Sequence, residues 1–150
     1  SQDYESRSNI MWCATIGLNT ISGLSKTQDW EVHMIEHQLG AYTDCAHGAG
    51  LAAISVAYYK YICSFGIDKF VRFAKNVWDI NTDEMSKEEA ANAGIEKLGE
   101  FIDELGLPQH LKELGATEDM LEKIANSTIP GGGYKQMTSD DILKVLKACY

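Results

Sequence analysis

The chain has 150 residues, of which 45% are hydrophobic and 23% charged, a balance that suits one folded domain rather than a disordered segment. Its formal net charge of −9 argues against a nucleic-acid partner, because phosphate binding needs a basic face and no cluster of lysine and arginine is present. No uninterrupted apolar stretch reaches membrane-spanning length, so we expect no membrane partner.

Two apolar helices are predicted in the first third of the chain. The first runs from Ser6 to about Leu24 and is apolar on nearly all sides, so we expect it to be buried. Thr27 or Asp29 can cap the second helix, which we also expect in the interior. Gly40 is a possible end of this helix.

Two further helices are predicted from apolar residues that recur at the same helical spacing. The third begins at His47 or Gly48 and ends near Ser64, and Asp68 is the expected cap of the fourth.

The second half of the chain is more amphipathic. Ser86 and Glu89 form a capping box for a long helix that Gly106 and Pro108 terminate. Short helices are predicted at 117–126 and 139–148, on either side of an irregular segment at 129–134. No segment alternates convincingly with the period of a strand, so residues 1–150 are predicted to form one all-α domain resembling a helix bundle.

The four cysteines are widely spaced, form no CxxC pair and fall within apolar helical patterns. They are Cys13, Cys45, Cys63 and Cys149. We expect buried free thiols in a reducing compartment rather than disulfides, and hence a cytoplasmic protein.

Three of the four histidines lie in one short stretch. His33 and His37 are four residues apart, so on a helix their imidazoles share one face, and His47 follows at the start of the next helix. Two helices meeting at a turn could therefore direct three imidazoles at one point. Taken alone, the first pair is more typical of core histidines than of metal ligands, but three converging neutral imidazoles suit Zn²⁺ or Fe²⁺.

Other motifs give weaker indications. The spacing is not that of an HExxH protease, so Glu36 is interpreted as a solvated or ligand-supporting carboxylate rather than a general base. Gly48 and Gly50 follow no strand and belong to no phosphate-loop motif, so we expect no nucleotide site within this chain alone. The glycines at 131–133 are interpreted as a flexible turn, with lining of a site as the alternative.

The spacing of His33, His37 and His47, with Leu39 after the second histidine and Gly48 after the third, resembles the signature of iron-containing (group III) alcohol dehydrogenases. Segments 3–12, 29–37 and 137–143 are similar to the NADPH-dependent butanol dehydrogenase and aldehyde reductase branch. The resemblance covers essentially the whole chain.

The resemblance implies the C-terminal helical domain of such an enzyme, of the dehydroquinate-synthase-like type, without the N-terminal α/β nucleotide-binding domain. It implies that His33 and His47 bind a divalent metal, Fe²⁺ or Zn²⁺, and that His37 lies beside the nicotinamide of NADPH and the substrate, with a role in proton transfer. The parent enzyme would interconvert short-chain aldehydes and primary alcohols. We also expect a homodimer.

One departure from the family pattern concerns the metal. The family's remaining ligands are an Asp and a His one helical turn apart, on a helix upstream of the region that corresponds to Asp3. The chain has no such pair at Asp3, which is followed four residues later by Arg7. We therefore expect an incomplete site that binds metal weakly, and a chain that is inactive alone. Gln38 replaces a proline that many members carry, a change that we expect to be tolerated.

Two alternatives remain open from the sequence. The chain could be an autonomous or oligomeric helical domain whose histidines are only core residues. It could also be a fold relative, such as a glycerol dehydrogenase or a dehydroquinate-synthase-like lyase. The histidine four residues after His33 favours the alcohol dehydrogenases.

Overall fold

Seven α-helices and three short 3₁₀ segments make up the fold in the computed structural model, which describes residues 2–150 apart from the side chain of Thr20. The α-helices are α1 Tyr4–Leu18, α2 Glu31–Thr43, α3 His47–Ile62, α4 Ile67–Trp78, α5 Lys87–Glu104, α6 Glu118–Ser127 and α7 Ser139–Ala148. The 3₁₀ segments are Thr20–Gly23, Cys63–Phe65 and Leu111–Leu114. No strand occurs among the described residues, and the all-α prediction is confirmed.

Helix α3 lies at the centre of the core, where it packs against α2, α5 and α7. Its Ile54 and Tyr58 are inaccessible to solvent, as are Ile35 of α2, Ile95 of α5 and Ile142 of α7. Each such aliphatic side chain contributes about 1.5–3 kcal/mol through burial. Helices that are consecutive in the chain also pack in pairs, α2 with α3, α4 with α5 and α6 with α7. The α2–α3 pair is the one that carries His33, His37 and His47.

Helix α5 begins where its capping box predicts. The Ser86 hydroxyl accepts a hydrogen bond from the Glu89 N–H at 3.2 Å, and the Ser86 N–H donates to Glu89 Oε2 at 2.8 Å. These bonds satisfy two backbone donors at the helix start. Because both bonds form within four consecutive residues, the local sequence is enough to predict this boundary.

Four predicted helix boundaries are wrong. Helix α1 ends at Leu18 rather than near Leu24. The N-cap of α2 is Trp30 rather than Thr27 or Asp29. Helix α2 continues past Gly40 to Thr43, and Asp44 ends it in the left-handed conformation at φ 54°, one that aspartate tolerates better than most residues. Helix α4 has Gly66 rather than Asp68 at its N-cap. Asp68 lies in the first turn instead, where its carboxylate accepts a hydrogen bond from Lys87 at 2.7 Å.

The predicted burial of the first helix is also wrong. No residue of α1 is buried, and Ile10 and Trp12 are 68% and 65% exposed. The apolar residues of α1 are spread around the helix without forming one face. The pattern therefore shows that the helix is apolar, but it does not identify the surface against which the helix would pack. The other six helices enclose the core without α1.

Asp141, in the first turn of α7, joins three parts of the chain. Its carboxylate accepts hydrogen bonds from Lys135, from the Tyr61 hydroxyl of α3 and from the Thr138 N–H at 3.0 Å. The Lys135 ammonium, followed by the Tyr61 hydroxyl, holds the pKa of Asp141 well below its ordinary range.

We expect Asp141→Asn to lower the free energy of unfolding by about 2 kcal/mol at neutral pH, because the ion pair and its charge-assisted hydrogen bonds are lost. Since the folded-state pKa lies below the unfolded value of about 3.9, this contribution is complete above that pH and is lost as the pH falls toward the folded-state pKa. Urea unfolding at a series of pH values should therefore show the two proteins converging in acid. The matched control is Asp140→Asn, because Asp140 is the exposed neighbour in the same turn. An equal loss in both variants would contradict the assignment.

Candidate metal centre

The turn between α2 and α3 brings the three histidines together. His33 and His37 lie one helical turn apart on α2, and His47 is the first residue of α3. Asp44 ends α2, and only Cys45 and Ala46 separate it from α3. One ring nitrogen of each histidine lies within 4.8 Å of those of the other two. The imidazole cluster has the composition and proximity that a borderline divalent metal requires.

The three ring centroids form a triangle, and the rings of His37 and His47 are stacked with an interplanar angle of 28°. The ring centroid of His47 lies 5.2 Å from that of His33 and 5.6 Å from that of His37. His33 is half-buried, whereas His37 and His47 are exposed. The open side of the cluster therefore faces away from the core, where ligands from elsewhere could reach it.

Glu36 supports the cluster from its buried side. The residue is only 2% exposed, and its Oε2 is in hydrogen-bond contact with Nδ1 of His47. The sequence left a solvated or a ligand-supporting carboxylate as alternatives, and the burial and this contact agree with the second.

The charge state of His33 follows from its surroundings. Partial burial, and then the neighbouring His47 and His37, lower the pKa of His33, an effect that Glu36 opposes. Two adjacent imidazoles and a desolvated environment both disfavour the imidazolium form. Only the neutral form offers a lone pair to a metal.

A cavity of about 430 Å³ opens beside His33, between α2, α3 and the segment that follows α1. Its apolar lining includes Trp30, Val32, Leu51 and Tyr59. The Trp30 and His33 ring centroids are 5.1 Å apart. The space is adequate for a small organic molecule.

Two acidic residues at the start of α2 anchor this helix, and no sequence pattern indicated their partners. The Tyr58 hydroxyl of α3 donates to Asp29 Oδ2 at 2.8 Å, and the Gly131 N–H donates to Glu31 Oε2 at 2.7 Å. Burial, and then the hydrogen bond to Asp29, raise the pKa of Tyr58 above its ordinary range. The only sequence signal was a pair of acids at the edge of an otherwise apolar helix.

Glu31 itself is completely buried, and its Oε1 has no hydrogen-bond partner among the residues that the structure describes. Burial raises the pKa of Glu31, although the Gly131 N–H opposes the shift. Gly131 packs against Trp30 and Met34. The glycine segment thus covers the first turn of α2, which also contains His33.

The cysteine prediction holds in part. All four cysteines are free; Cys63 and Cys149 are buried, Cys45 is half-buried, and Cys13 is exposed because α1 is exposed. Among residues 2–150, no helix combines the length and the apolar character that crossing a bilayer would require.

Comparison with known proteins identifies the family. Residues 1–150 match the family model described as Fe-containing alcohol dehydrogenase family, C-terminal. The chain belongs to this family. The resemblance inferred from the histidine spacing is therefore confirmed, and the chain corresponds to the C-terminal part of family members.

Curated relatives and solved structures agree with this assignment. The chain is 33% identical to NADH-dependent butanol dehydrogenase A of Clostridium acetobutylicum over 156 residues, which cover 100% of this chain and 40% of the relative. It is similar to the structure of NADH-dependent butanol dehydrogenase A from Thermotoga maritima, with a TM-score of 0.86, 33% identity and coverage of 97% of this chain and 39% of the other. The aldehyde reductase YqhD from E. coli gives a TM-score of 0.88 at 28% identity, covering 99% of this chain and 40% of the other. The chain thus spans about 40% of the length of these relatives.

Proposed function

We propose that the chain supplies the helical, metal-binding part of an oxidoreductase that interconverts short-chain aldehydes and primary alcohols with a nicotinamide cofactor. The observation that carries this proposal is the convergence of three imidazole nitrogens within 4.8 Å, in a chain of the iron-containing alcohol dehydrogenase family. NADPH is the cofactor expected from the sequence. The names of relatives contain both NADH and NADPH, so this choice remains a prediction.

The metal ligands in this proposal are His33 and His47, holding Fe²⁺ or Zn²⁺. Neutral imidazoles suit either ion, and the cluster supplies them from two rigid helices. When bound, the metal would act as a Lewis acid that polarises the carbonyl oxygen of the aldehyde.

His37 has a different role in the proposal. Its exposed imidazole can reach a substrate and a nicotinamide that approach from the open side, and there it would transfer a proton at the substrate oxygen. This makes His37 both the catalytic residue and the contact to the cofactor. The family resemblance places the remaining ligands, an Asp and a His, on a helix upstream of the region of Asp3, so the metal would be held weakly by the residues of this chain alone.

Location and assembly belong to the same proposal. Four free cysteines support a reducing, cytoplasmic setting. The proposed assembly is a homodimer, as expected from the sequence. No nucleic acid or membrane is proposed as a partner, in line with the net charge of −9 and the lack of a basic cluster in the sequence.

The chain alone is expected to show no oxidation of NADPH when it is supplied with Zn²⁺ and butyraldehyde. The reason is that residues 2–150 contain no strand, and a dinucleotide fold is built on a parallel sheet. Absorbance of the reduced nicotinamide would measure this directly. Clear turnover by the pure 150-residue chain would contradict the proposal that this chain supplies only the helical, metal-binding part of the enzyme.

A chimera tests the function itself. The chain would replace the matching C-terminal part of the butanol dehydrogenase A of C. acetobutylicum, to which it is 33% identical along its whole length. We expect reduction of butyraldehyde by the chimera and loss of that activity in a copy carrying His33→Ala and His47→Ala. A chimera that folds and binds the nicotinamide but does not reduce aldehyde would favour the alternative of a non-catalytic helical domain.

A further inference from the structure

We propose that Glu36 is a positioning residue for His47: its buried carboxylate holds the proton of the imidazole on Nδ1 and leaves Nε2 as the metal-binding nitrogen. The inference rests on the metal centre of the proposed function. It adds to that centre a residue which fixes the tautomer and orientation of one ligand.

The first argument is the contrast in burial between the two partners. The side chain of Glu36 is 3% exposed, whereas that of His47 is 52% exposed. A buried carboxylate requires a polar partner, because its desolvation is otherwise costly, and Glu36 has that partner in Nδ1 of His47. The exposed ring is therefore fixed from its buried side rather than by packing.

The second argument is the shape of α3 opposite Glu36. Gly50 lies one turn after His47, and a Cβ at this position would lie 2.7 Å from Cγ and 2.9 Å from Oε1 of Glu36. Only a residue without a side chain leaves room for the carboxylate between the two helices. The space for Glu36 is thus part of the same turn of helix that presents His47.

The third argument is chemical. A carboxylate oxygen accepts hydrogen bonds, so its contact with Nδ1 assigns the proton of a neutral imidazole to that nitrogen. The lone pair then lies on Nε2, on the other side of the ring. A carboxylate bonded to a ligating histidine fixes the ring and raises the basicity of the ligating nitrogen.

The tautomer can be read without metal. Long-range ¹⁵N–¹H correlation spectra of the 150-residue chain, recorded at about pH 8, where free imidazole is neutral, distinguish Nδ1–H from Nε2–H. We expect Nδ1–H for His47 in the wild type and a shift toward Nε2–H in Glu36→Met, which keeps a side chain of similar length but offers no acceptor oxygen. Glu36→Gln keeps an acceptor and should retain part of the wild-type signal. Glu122→Gln, on the exposed face of α6, is the matched control and should not change the spectrum.

Metal affinity provides the second readout. In a Zn²⁺ titration followed by the histidine resonances, Glu36→Met should weaken binding by roughly 10- to 100-fold, with Glu36→Gln intermediate and Glu122→Gln unchanged. If the contact between Glu36 and His47 were only structural, the substitutions would alter stability. They would not produce this ranking of Zn²⁺ affinities together with the change of tautomer.

The outcomes separate this inference from the function on which it rests. A wild-type His47 with its proton on Nε2, or Zn²⁺ affinity that is unchanged in Glu36→Met, would overturn the role of Glu36 alone. A wild-type chain with no affinity for Zn²⁺ would overturn the metal centre and this role together. If Glu36→Met fails to fold, the wild-type tautomer and the Gln variant still decide between the outcomes.

Discussion

Replacing His47 by alanine is expected to lower the affinity of the chain for Zn²⁺ by more than roughly 100-fold, and replacing His33 should have the same effect. Each substitution removes a ligand itself. The loss of a residue that only supports a ligand lowers metal affinity by up to about 100-fold, so the loss of a ligand should lower it further. Because the chain offers few ligands, either loss should take binding below detection in a titration followed by NMR.

The comparison with His37→Ala assigns roles within the cluster. All three imidazoles are close enough to share an ion, but the proposal gives His37 to the substrate side, so its loss should weaken binding less than either of the others. His110→Ala is the control, since His110 is exposed and lies outside the cluster. Loss of binding in His37→Ala with binding retained in His33→Ala would reverse the assignment. Tight, stoichiometric binding by the wild type would contradict an incomplete site.

Substituting Gly94 by valine is expected to destabilise the fold by about 3 kcal/mol, the largest stability effect that we anticipate. A Cβ at Gly94 of α5 would lie 2.8 Å from the Cβ and 2.9 Å from the Cα of Ala74 in α4. Because one of these atoms belongs to the backbone, the two helices would have to separate. Denaturant unfolding measures the loss as a shift of the midpoint.

Gly99 provides the control on the same helix. A Cβ there would meet Gln109 Oε1 at 3.4 Å and Val56 at 3.5 Å, which is ordinary contact distance. Gly99→Ala should therefore be neutral or stabilise the chain by up to about 1 kcal/mol, because alanine favours the helix. Equal destabilisation by both substitutions would contradict the close α4–α5 contact.

Local features of the fold were accessible from the sequence. The capping box at Ser86 and Glu89, and the bounds of α7, depend on a few neighbouring residues and agree with the structure. The end of α2 was not predictable from Gly40, since the left-handed residue that ends a helix can be an aspartate, as Asp44 is here.

Long-range features were not accessible in the same way. The bond from Gly131 to Glu31 joins positions 100 residues apart, and the burial of α1 depends on what packs against it rather than on its own pattern. Periodicity reports how apolar a helix is, but it does not identify the surface that covers it.

The candidate site combines both kinds of feature. The convergence of His33, His37 and His47 followed from helix geometry and a short turn, and the structure brings the three together. The burial of Glu36 against α3 required knowing that Gly50 faces it across the helix pair. The identity of the ligands among the three histidines rests on the family resemblance, and stays a prediction.

The most direct test of the metal centre is anomalous X-ray diffraction from crystals of the chain grown with Zn²⁺. We expect an anomalous peak within bonding distance, about 2.0–2.1 Å, of one ring nitrogen each of His33 and His47. A zinc ion bound elsewhere, or bound to neither of these histidines, would contradict the proposed site.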